Sequence, residues 1–362
     1  MNVHIKNFRI DSFRGIKDLR LDNLKEINII TGDNNSGKTS VLEIINHLNA
    51  IDSVKNIAYS TTRGIRQTQL FSFTPFERIN YLFPIDDEKS VISYSFETDK
   101  QYNVILEKEN YFELLPESEV KKILGYKVSN KNIINEELVD TENMSLEFIL
   151  NGKIIKKVDI SEFERIKRDS SSYQFIKTVY ITPFRHTLND IFLSDVLNNS
   201  ELYEEMLSVL KEFDENIISI NVDSSGQSSV RKRYVILSKN HKKAIPLELY
   251  GDGMKKAILL MSAVISAKNG ILLLDEFETA IHTSAMDKIF TWIINTCMKL
   301  NVQLFITSHS KEAIEKVLKC CPDLSDNINL YTLYKKNNNT LVRTLSCKEA
   351  IEVIDKFDLE VR

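Results

Sequence analysis

The sequence predicts an α/β fold with a mixed, mostly parallel sheet flanked by helices, an N-terminal antiparallel β-subdomain and an internal α+β insertion. Three observations lead to this prediction. A strand, a glycine loop and a helix follow one another in residues 26–49, short alternating strands fill 90–181, and helices alternate with strands in 254–319. Alternation of strands with helices is typical of a parallel sheet, because each helix carries the chain back to start the next strand.

The first fifty residues contain three predicted strands and one predicted helix. Val3–Ile10 and Ile16–Leu21 alternate apolar with charged residues, which predicts a pair of half-buried strands. Glu26–Thr31 is a nearly continuous apolar run, as expected of a buried strand. Beyond the glycine loop, apolar residues from Val41 to Leu48 keep a 3.6-residue period, and the helix should end near Asn49.

The middle of the chain is predicted to contain hairpins. Residues 92–96 and 102–106 alternate as half-buried strands do. A second hairpin joins 146–150 to 153–158 through Asn151-Gly152, because Asn-Gly supplies the two positive φ angles of a type I′ turn. Residues 186–216 are predicted to be helical and are followed by a polar loop at 223–229.

The last third is predicted to alternate helix and strand and to close with a hairpin and a short helix. We expect residues 1–85 and 246–362 to form the two parts of one domain, with 86–245 inserted between them. The predicted elements are Met254–Lys268 (helix), Ile271–Leu274 (strand), Met286–Leu300 (helix), Val302–Thr307 (strand), Lys311–Lys319 (helix), Ile328–Lys336 and Leu341–Leu345 (hairpin) and Lys348–Phe357 (helix).

Composition excludes several classes of protein. A net charge of −4 excludes a globally cationic protein that coats nucleic acid, so any DNA contact must be local. No apolar run approaches the roughly 20 residues that span a bilayer, and the start has no signal-peptide core, so we expect a cytosolic protein without membrane partners. The chain has 4 cysteines and no CxxC pair, which argues against a disulfide framework and a cysteine zinc site.

A phosphate-binding loop is the strongest motif. Residues 32–39 read GDNNSGKT and match G-x-x-x-x-G-K-[ST] at every position, between a strand and a helix as the motif requires. The glycines let successive N–H groups point inward around an anion, Lys38 would reach the β and γ phosphates, and the Thr39 hydroxyl would ligate Mg²⁺. The predicted nucleotide-binding residues here are Gly32, Asp33, Asn34, Asn35, Ser36, Gly37, Lys38, Thr39 and Ser40.

Two acids follow the apolar strand at 271–274. Asp275 and Glu276 would lie at the carboxyl edge of a parallel sheet, where ligands bind in such folds. We expect Asp275 to hold Mg²⁺, directly or through water, and Glu276 to act as the general base for the attacking water. The alternative is a solvated acidic turn.

Two further motifs each admit two interpretations. His309 follows the apolar strand at 302–307 and would sense the γ-phosphate, unless it only caps the strand. The glycines at 251 and 253 open the helix that leads to Asp275, so they form either a second anion-binding helix end, facing a phosphate held by another subunit, or an ordinary turn.

Other polar residues are interpreted as structural or solvated. His282 and Arg185 show no partner spacing and are interpreted as structural. A basic cluster can be a solvated face or a local phosphate-binding strip. Its members are Arg231, Lys232, Arg233, Lys239, Lys242 and Lys243.

The order of these motifs resembles that of ABC-type ATPases. The resemblance is closest to the SMC/RecF-like branch and the overcoming-lysogenization-defect (OLD) family, of AAA_15/AAA_21 type. Residues 10–16 (IDSFRGI), 30–43 (ITGDNNSGKTSVLE) and 274–278 (LDEFE) carry it, and it covers 1–50 and 245–362 well.

The resemblance implies a dimer in which ATP lies between the P-loop of one subunit and the signature helix of the other. It implies that Lys38 and Thr39 bind phosphate and Mg²⁺, that Asp275 and Glu276 are the Walker B pair, and that His309 is the switch histidine. It also implies that Gly251, Asp252, Gly253 and Lys255 form the signature and that Arg14 lies near the nucleotide. The signature departs from the family pattern, because Gly251 stands where a serine commonly contacts the γ-phosphate.

The resemblance also indicates which segments of related proteins this sequence lacks. The interval between Lys38 and Asp275 is long and holds hairpins rather than heptads, so it lacks SMC coiled-coil arms. The stretch after His309 is too short for the TOPRIM nuclease of OLD proteins. We therefore expect a stand-alone ATPase that controls a separately encoded TOPRIM or HNH nuclease or toxin-like effector, in antiphage defence or DNA maintenance, with DNA as a further candidate partner.

The main alternative is a nucleotide-sensing scaffold that hydrolyses little ATP and sequesters a toxic partner. A membrane-transport ATPase would need a surface for a permease. A GTPase is disfavoured because no [NT]KxD sequence is present. A small-molecule kinase would need neither the glycine helix nor His309.

Overall fold

The computed structural model describes residues 3–60, 74–83, 89–124, 137–163, 171–188, 191–223, 233–279, 281, 283–337 and 339–357. Within these ranges the strands are β1 (Asn7–Phe13), β2 (Ile16–Leu21), β3 (Ile27–Gly32), β4 (Lys89–Glu97), β5 (Gln101–Pro116), β6 (Leu138–Leu150), β7 (Lys153–Ser161), β8 (Thr178–Ile181), β9 (Ile217–Asp223), β10 (Arg233–Ser238), β11 (Ile245–Pro246), β12 (Ile271–Leu274), β13 (Gln303–Thr307), β14 (Ile328–Lys336) and β15 (Asn339–Ser346). The α-helices are α1 (Lys38–Asn46), α2 (Val54–Ser60), α3 (Pro75–Asn80), α4 (Glu117–Ile123), α5 (Leu193–Leu197), α6 (Ser200–Leu210), α7 (Asp252–Ser266), α8 (Thr283–Lys299), α9 (Lys311–Lys319) and α10 (Cys347–Phe357).

A mixed six-stranded sheet forms the centre of the fold. Its strand order is β15-β14-β3-β13-β12-β8. Every neighbouring pair from β14 to β8 is parallel, and β15 is antiparallel to β14. The predicted α/β fold with a mostly parallel sheet is confirmed. The carboxyl ends of β3, β12 and β13 therefore meet at one edge, where the predicted motifs begin.

The central sheet separates two hydrophobic cores. In β12, Leu272 and Leu274 pack into the core that contains α7, α8 and α9, whereas Ile271 and Leu273 pack into the core that contains α1 and the antiparallel sheet. Both faces are covered, which explains why this strand is a continuous apolar run. The sheet edge is thereby held rigidly from both sides.

A second six-stranded sheet, with order β2-β1-β4-β5-β6-β7, is entirely antiparallel. It is the predicted N-terminal antiparallel β-subdomain, extended by the predicted hairpins of the middle segment. Asn151 has φ 48° and Gly152 has φ 76°, as expected for the type I′ turn between β6 and β7. The turn from β1 to β2 reaches the P-loop, because a Cβ at Gly37 would lie 3.0 Å from the Ile16 side chain.

The middle segment contributes to both large sheets. Residues 178–181, inside the segment predicted as an insertion, form β8 and pair in parallel with β12. The range predicted to be helical, 186–216, contains a 3-10 turn at Arg185–Leu188, α5 and α6 in place of one long helix. Helix α6 begins where the Asn199 side chain accepts a hydrogen bond from Leu202 N. No helix in the described ranges is long and apolar enough to cross a membrane.

Candidate functional site

The P-loop connects β3 to α1, and its glycines are required by the backbone. Gly32 has φ 137° and Gly37 has φ 107°, values that favour glycine. A Cβ on Gly32 would lie 2.1 Å from the Leu333 carbonyl oxygen, so no other residue fits there. Helix α1 begins at Lys38. The N–H groups of the loop and of the first helical turn therefore face the same space, as an anion site requires.

Lys38 folds back onto its own loop. Its Nζ donates to the carbonyl oxygens of Gly32 at 2.7 Å and Asp33 at 2.8 Å. Burial lowers the pKa of Lys38, while Asp275 and Glu276 oppose this shift. Two carbonyl groups thus hold the ammonium at the loop, and phosphate oxygens can replace them as hydrogen-bond acceptors.

Thr39 and Asp275 meet at the carboxyl edge of the central sheet. The Thr39 hydroxyl donates to Asp275 Oδ1 at 3.2 Å, although the two residues lie far apart in sequence. Asp275 is only 4% exposed. The two oxygens are the hard ligands that Mg²⁺ prefers, so this pair fits the predicted metal. The described residues contain no group of three or more His, Cys, Asp or Glu side chains that could hold a metal ion by themselves.

Two residues that sequence reasoning missed orient Asp275. The Thr307 hydroxyl, at the end of β13, donates to Asp275 Oδ1 at 2.6 Å. The Tyr180 hydroxyl, on β8, donates to Asp275 Oδ2 at 3.3 Å. Their positions depend on which strands flank β12, and no local sequence motif signals that.

Glu276 and His309 are brought together on the same edge. His309 Nε2 lies 3.7 Å from Glu276 Oε1, and both side chains are partly exposed. Glu276 has φ 43°, and its N–H donates to the Thr307 hydroxyl at 2.9 Å, which holds this unusual backbone. Glu278 accepts hydrogen bonds from His309 N at 3.1 Å and from the Ser308 hydroxyl at 2.8 Å. Glu278 therefore connects the acidic turn to the residues that follow β13.

The P-loop, Glu276 and His309 line one cleft of about 530 Å³, and the predicted residues Gly32, Asp33 and Asp275 are not part of its lining. Arg14 lines it as predicted, but Arg14 Nη1 is also bonded at 2.8 Å to Glu43, whose side chain is completely buried. Lys335, at the end of β14, also lines the cleft, with its Nζ close to Gly15, and was not predicted. The predicted residues that share this lining are Asn34, Asn35, Ser36, Gly37, Lys38, Thr39, Ser40, Glu276 and His309.

The predicted signature lies elsewhere. Gly251 precedes α7, whose first residues are Asp252 and Gly253, and Lys255 Nζ is bonded to Asp252 Oδ1 at 2.6 Å. The described lining of the cleft includes none of these residues. The predicted signature therefore does not join the P-loop cleft of its own chain.

The remaining candidates do not join the cleft lining. Arg185 donates to the Tyr180 carbonyl oxygen and lies over the Phe192 ring at 5.0 Å. His282 and two members of the basic cluster, Arg231 and Lys232, lie outside the described residues. The other members of the cluster, Arg233, Lys239, Lys242 and Lys243, are exposed.

Comparison with known families decides the class of protein. A family model described as "AAA domain, putative AbiEii toxin, Type IV TA system" (AAA_21) matches residues 27–315, more than half of the chain. The chain belongs to the AAA_21 family. The predicted ATPase, and its resemblance to ABC-type ATPases of the SMC/RecF-like branch, are confirmed; membership of the OLD family stays a prediction.

Individual relatives agree with this assignment to the AAA_21 family. The chain is 24% identical over 331 residues to an "ATP/GTP phosphatase" of Helicobacter pylori, covering 86% of each protein. It is 44% identical over 43 residues to the DNA replication and repair protein RecF of Clostridium acetobutylicum, covering 12% of each. Among solved structures, an SMC head bound to the C-terminal winged-helix domain of ScpA matches with a TM-score of 0.52 at 10% identity, covering 97% of this chain and 100% of that one. This likeness shows the fold alone.

Proposed function

We propose that this AAA_21 protein binds ATP with Mg²⁺ in the cleft between the P-loop and the Walker B turn and hydrolyses the γ-phosphate there. The observation that carries the proposal is a convergence on one edge of the central sheet. Lys38 and Thr39 come from the start of α1, Asp275 and Glu276 from the turn after β12, and His309 from the turn after β13. Each has the chemistry that its proposed role requires.

The binding groups are those of the loop and the sheet edge. Phosphate oxygens would accept hydrogen bonds from N–H groups of residues 33–39. They would also accept hydrogen bonds from the Lys38 ammonium, in place of the two carbonyl oxygens that it contacts now. Thr39 and Asp275 would hold Mg²⁺, which when bound neutralises developing charge on the β and γ phosphates. Tyr180 and Thr307 keep the Asp275 carboxylate oriented.

The hydrolytic step needs a base and a group that positions it. Glu276 would accept a proton from the attacking water while the water oxygen bonds to the γ-phosphorus and the bond to the β–γ bridging oxygen breaks, giving ADP and phosphate. His309, 3.7 Å from Glu276, would orient that carboxylate and the γ-phosphate. The partial exposure of both side chains supports these roles, because substrate and water must reach them.

Dimerisation around ATP is the second part of the proposal. The signature residues at the start of α7 lie outside the cleft of their own chain, and the N-terminus of this 15-residue helix presents unpaired N–H groups and a positive dipole end. We propose that Gly251–Gly253 of one chain contacts the ATP bound by a second copy. The fold shared with an SMC head supports this arrangement.

Substitutions at the cleft test the proposal. Lys38→Ala should abolish ATP binding, whereas Glu276→Gln should bind ATP, lose turnover by about 100-fold or more and accumulate as a dimer in size-exclusion chromatography with ATP and Mg²⁺. Glu312→Gln, an exposed acid in the first turn of α9, is the matched control and should behave as wild type. Full turnover by Lys38→Ala would refute the site.

The biological role is proposed from the family. The family description names a putative toxin and a toxin–antitoxin system, which supports control of a separately encoded effector in antiphage defence or DNA maintenance. A scaffold that sequesters a toxic partner and hydrolyses little ATP is the second candidate, favoured by the same description. Partner release by Glu276→Gln at the wild-type level would favour the scaffold, and its loss would favour the ATPase switch.

DNA is a further proposed partner. The exposed lysines near β10, Lys239, Lys242 and Lys243, are the described part of the local basic strip. ATPase assays with and without linear DNA test this, and equal rates at low and moderate salt would exclude stimulation by DNA.

A further inference from the structure

A fully enclosed lysine lies on the helix that carries the signature. Lys256 is 0% exposed, whereas its neighbour Lys255 reaches the surface and pairs with Asp252. Lysines are almost never fully buried unless they are paired, because burying an ammonium is costly. The rest of α7 is almost entirely apolar and buried, so an apolar residue would fit this position without that cost. We therefore expect the buried ammonium of Lys256 to have a role in function.

The contacts of Lys256 point toward the Walker B turn. Its Nζ donates to the Pro183 carbonyl oxygen at 3.1 Å, which also lies 3.2 Å from His186 Nδ1. Burial lowers the pKa of Lys256 to about 8, while the negative charges of Glu278, Asp275 and Glu276 oppose the shift. The ammonium thus lies in the field of all three acids of that turn and is bonded to the segment beside them.

The segment that Lys256 holds also reaches Asp275. Residues 180–186 comprise the end of β8 and the turn that follows it, and α7 packs against both. At the start of the segment the Tyr180 hydroxyl donates to Asp275 Oδ2, and Asp275 N donates to the Ile181 carbonyl oxygen at 3.0 Å. One short stretch of chain therefore contacts the Walker B aspartate at one end and the signature helix at the other.

We propose that Lys256 is a positioning residue for ATP hydrolysis, which ties α7 to residues 180–183 and through them fixes the side chain of Asp275. The proposal rests on the roles proposed above for Asp275 and for Gly251–Gly253. Its consequence is that a displacement of the signature end of α7 also displaces the aspartate of the same chain. Contact of the signature with a second chain would then adjust the metal-binding geometry of the first.

The test uses the intact protein, four single variants and one double variant. Lys256→Met keeps the length of the side chain and removes the charge, Lys256→Arg restores a cation, and Tyr180→Phe removes the other end of the connection. Lys268→Met is the matched control, because Lys268 is exposed just after α7. Steady-state ATP hydrolysis is measured together with binding of a fluorescent ATP analogue in EDTA and hydrogen exchange of peptides covering 180–186.

The proposal expects Lys256→Met to bind the analogue as wild type does, with KM for ATP within about threefold and kcat lower by about tenfold or more. Residues 180–186 should exchange faster, and Lys256→Arg should recover part of kcat. In the double variant Lys256→Met/Tyr180→Phe, the loss of kcat should be close to that of the more affected single variant, because both substitutions break the same connection. Lys268→Met should match wild type throughout.

Three results would overturn the proposal: wild-type kcat and exchange in Lys256→Met, a kcat loss that only follows loss of folded protein and is not rescued by arginine, or additive losses in the double variant. Failure of the proposed site is recognised separately, because Lys38→Ala would then retain turnover. The exchange data would in that case still show whether Lys256 holds the segment.

Discussion

Thr307→Val tests the assignment of the Walker B edge most directly. The Thr307 hydroxyl donates to Asp275 Oδ1 at 2.6 Å and accepts from Glu276 N at 2.9 Å, and valine fills nearly the same volume without either bond. A hydrogen bond to a charged group contributes about 1.5–3 kcal/mol, and an unsatisfied buried N–H costs about 1–3 kcal/mol. Thr39 and Tyr180 still hold the carboxylate, so we expect a loss of about 2–4 kcal/mol in unfolding free energy.

The same substitution should affect catalysis more than nucleotide binding. Residues that orient metal ligands typically contribute about 10- to 100-fold to activity or metal affinity, so kcat should fall by that factor and the Mg²⁺ concentration for half-maximal rate should rise. Steady-state ATPase assays over a Mg²⁺ titration measure both, and urea unfolding measures stability.

The control is Thr291→Val, whose hydroxyl bonds the Asp287 carbonyl oxygen on α8, away from the cleft. An unchanged Mg²⁺ requirement and rate in Thr307→Val would show that Asp275 is not the metal-binding carboxylate.

Three further predictions follow from single contacts. Lys335→Met should weaken ATP binding about three- to tenfold at low salt, because it removes a cation from the rim of the cleft. Lys336→Met, on the opposite face of β14, is the control and should bind ATP as wild type does. Equal affinities of wild type and Lys335→Met by calorimetry would contradict this prediction. Burial lowers the pKa of Lys256 to about 8 in the native state, against about 10.4 when unfolded. The unfolding free energy of wild type relative to Lys256→Met should therefore rise as the pH increases from about 8 to about 10.4, by at most about 1.4 kcal/mol per pH unit. Parallel curves in urea unfolding from pH 7 to 9.5 would contradict that sign. Glu43→Gln should lower unfolding free energy by about 3 kcal/mol, because it leaves the Arg14 guanidinium without its buried carboxylate; an unchanged urea midpoint would show that the pair is dispensable.

The parts of the site that are contiguous in sequence could be predicted. The P-loop is a single local pattern whose glycines are required by backbone geometry, and the Asp275-Glu276 pair directly follows a recognisable buried strand. The type I′ turn at Asn151-Gly152 was likewise predictable, because two adjacent residues determine it.

The parts that depend on the order of strands could not be predicted. Tyr180 reaches Asp275 only because β8 pairs with β12, and Lys335 reaches the cleft only because β14 pairs with β3. The burial of Lys256 depends on the segment that covers α7. The helical character of 186–216 was predictable, and the start of a separate helix within it has a local cause, since Asn199 is a strong helix-starting residue.

The position of β3 determines when the protein can become functional during its synthesis. Ile27 of β3 pairs with Leu304 on one side and with Ile328 on the other, so this strand gains both neighbours only after about 300 further residues have been translated. At typical rates that interval is on the order of tens of seconds. The antiparallel sheet is complete by Ser161 and can form earlier on the ribosome. Binding of ATP is therefore expected only after β14 has been translated, and chains shortened before β14 should expose β3 and aggregate.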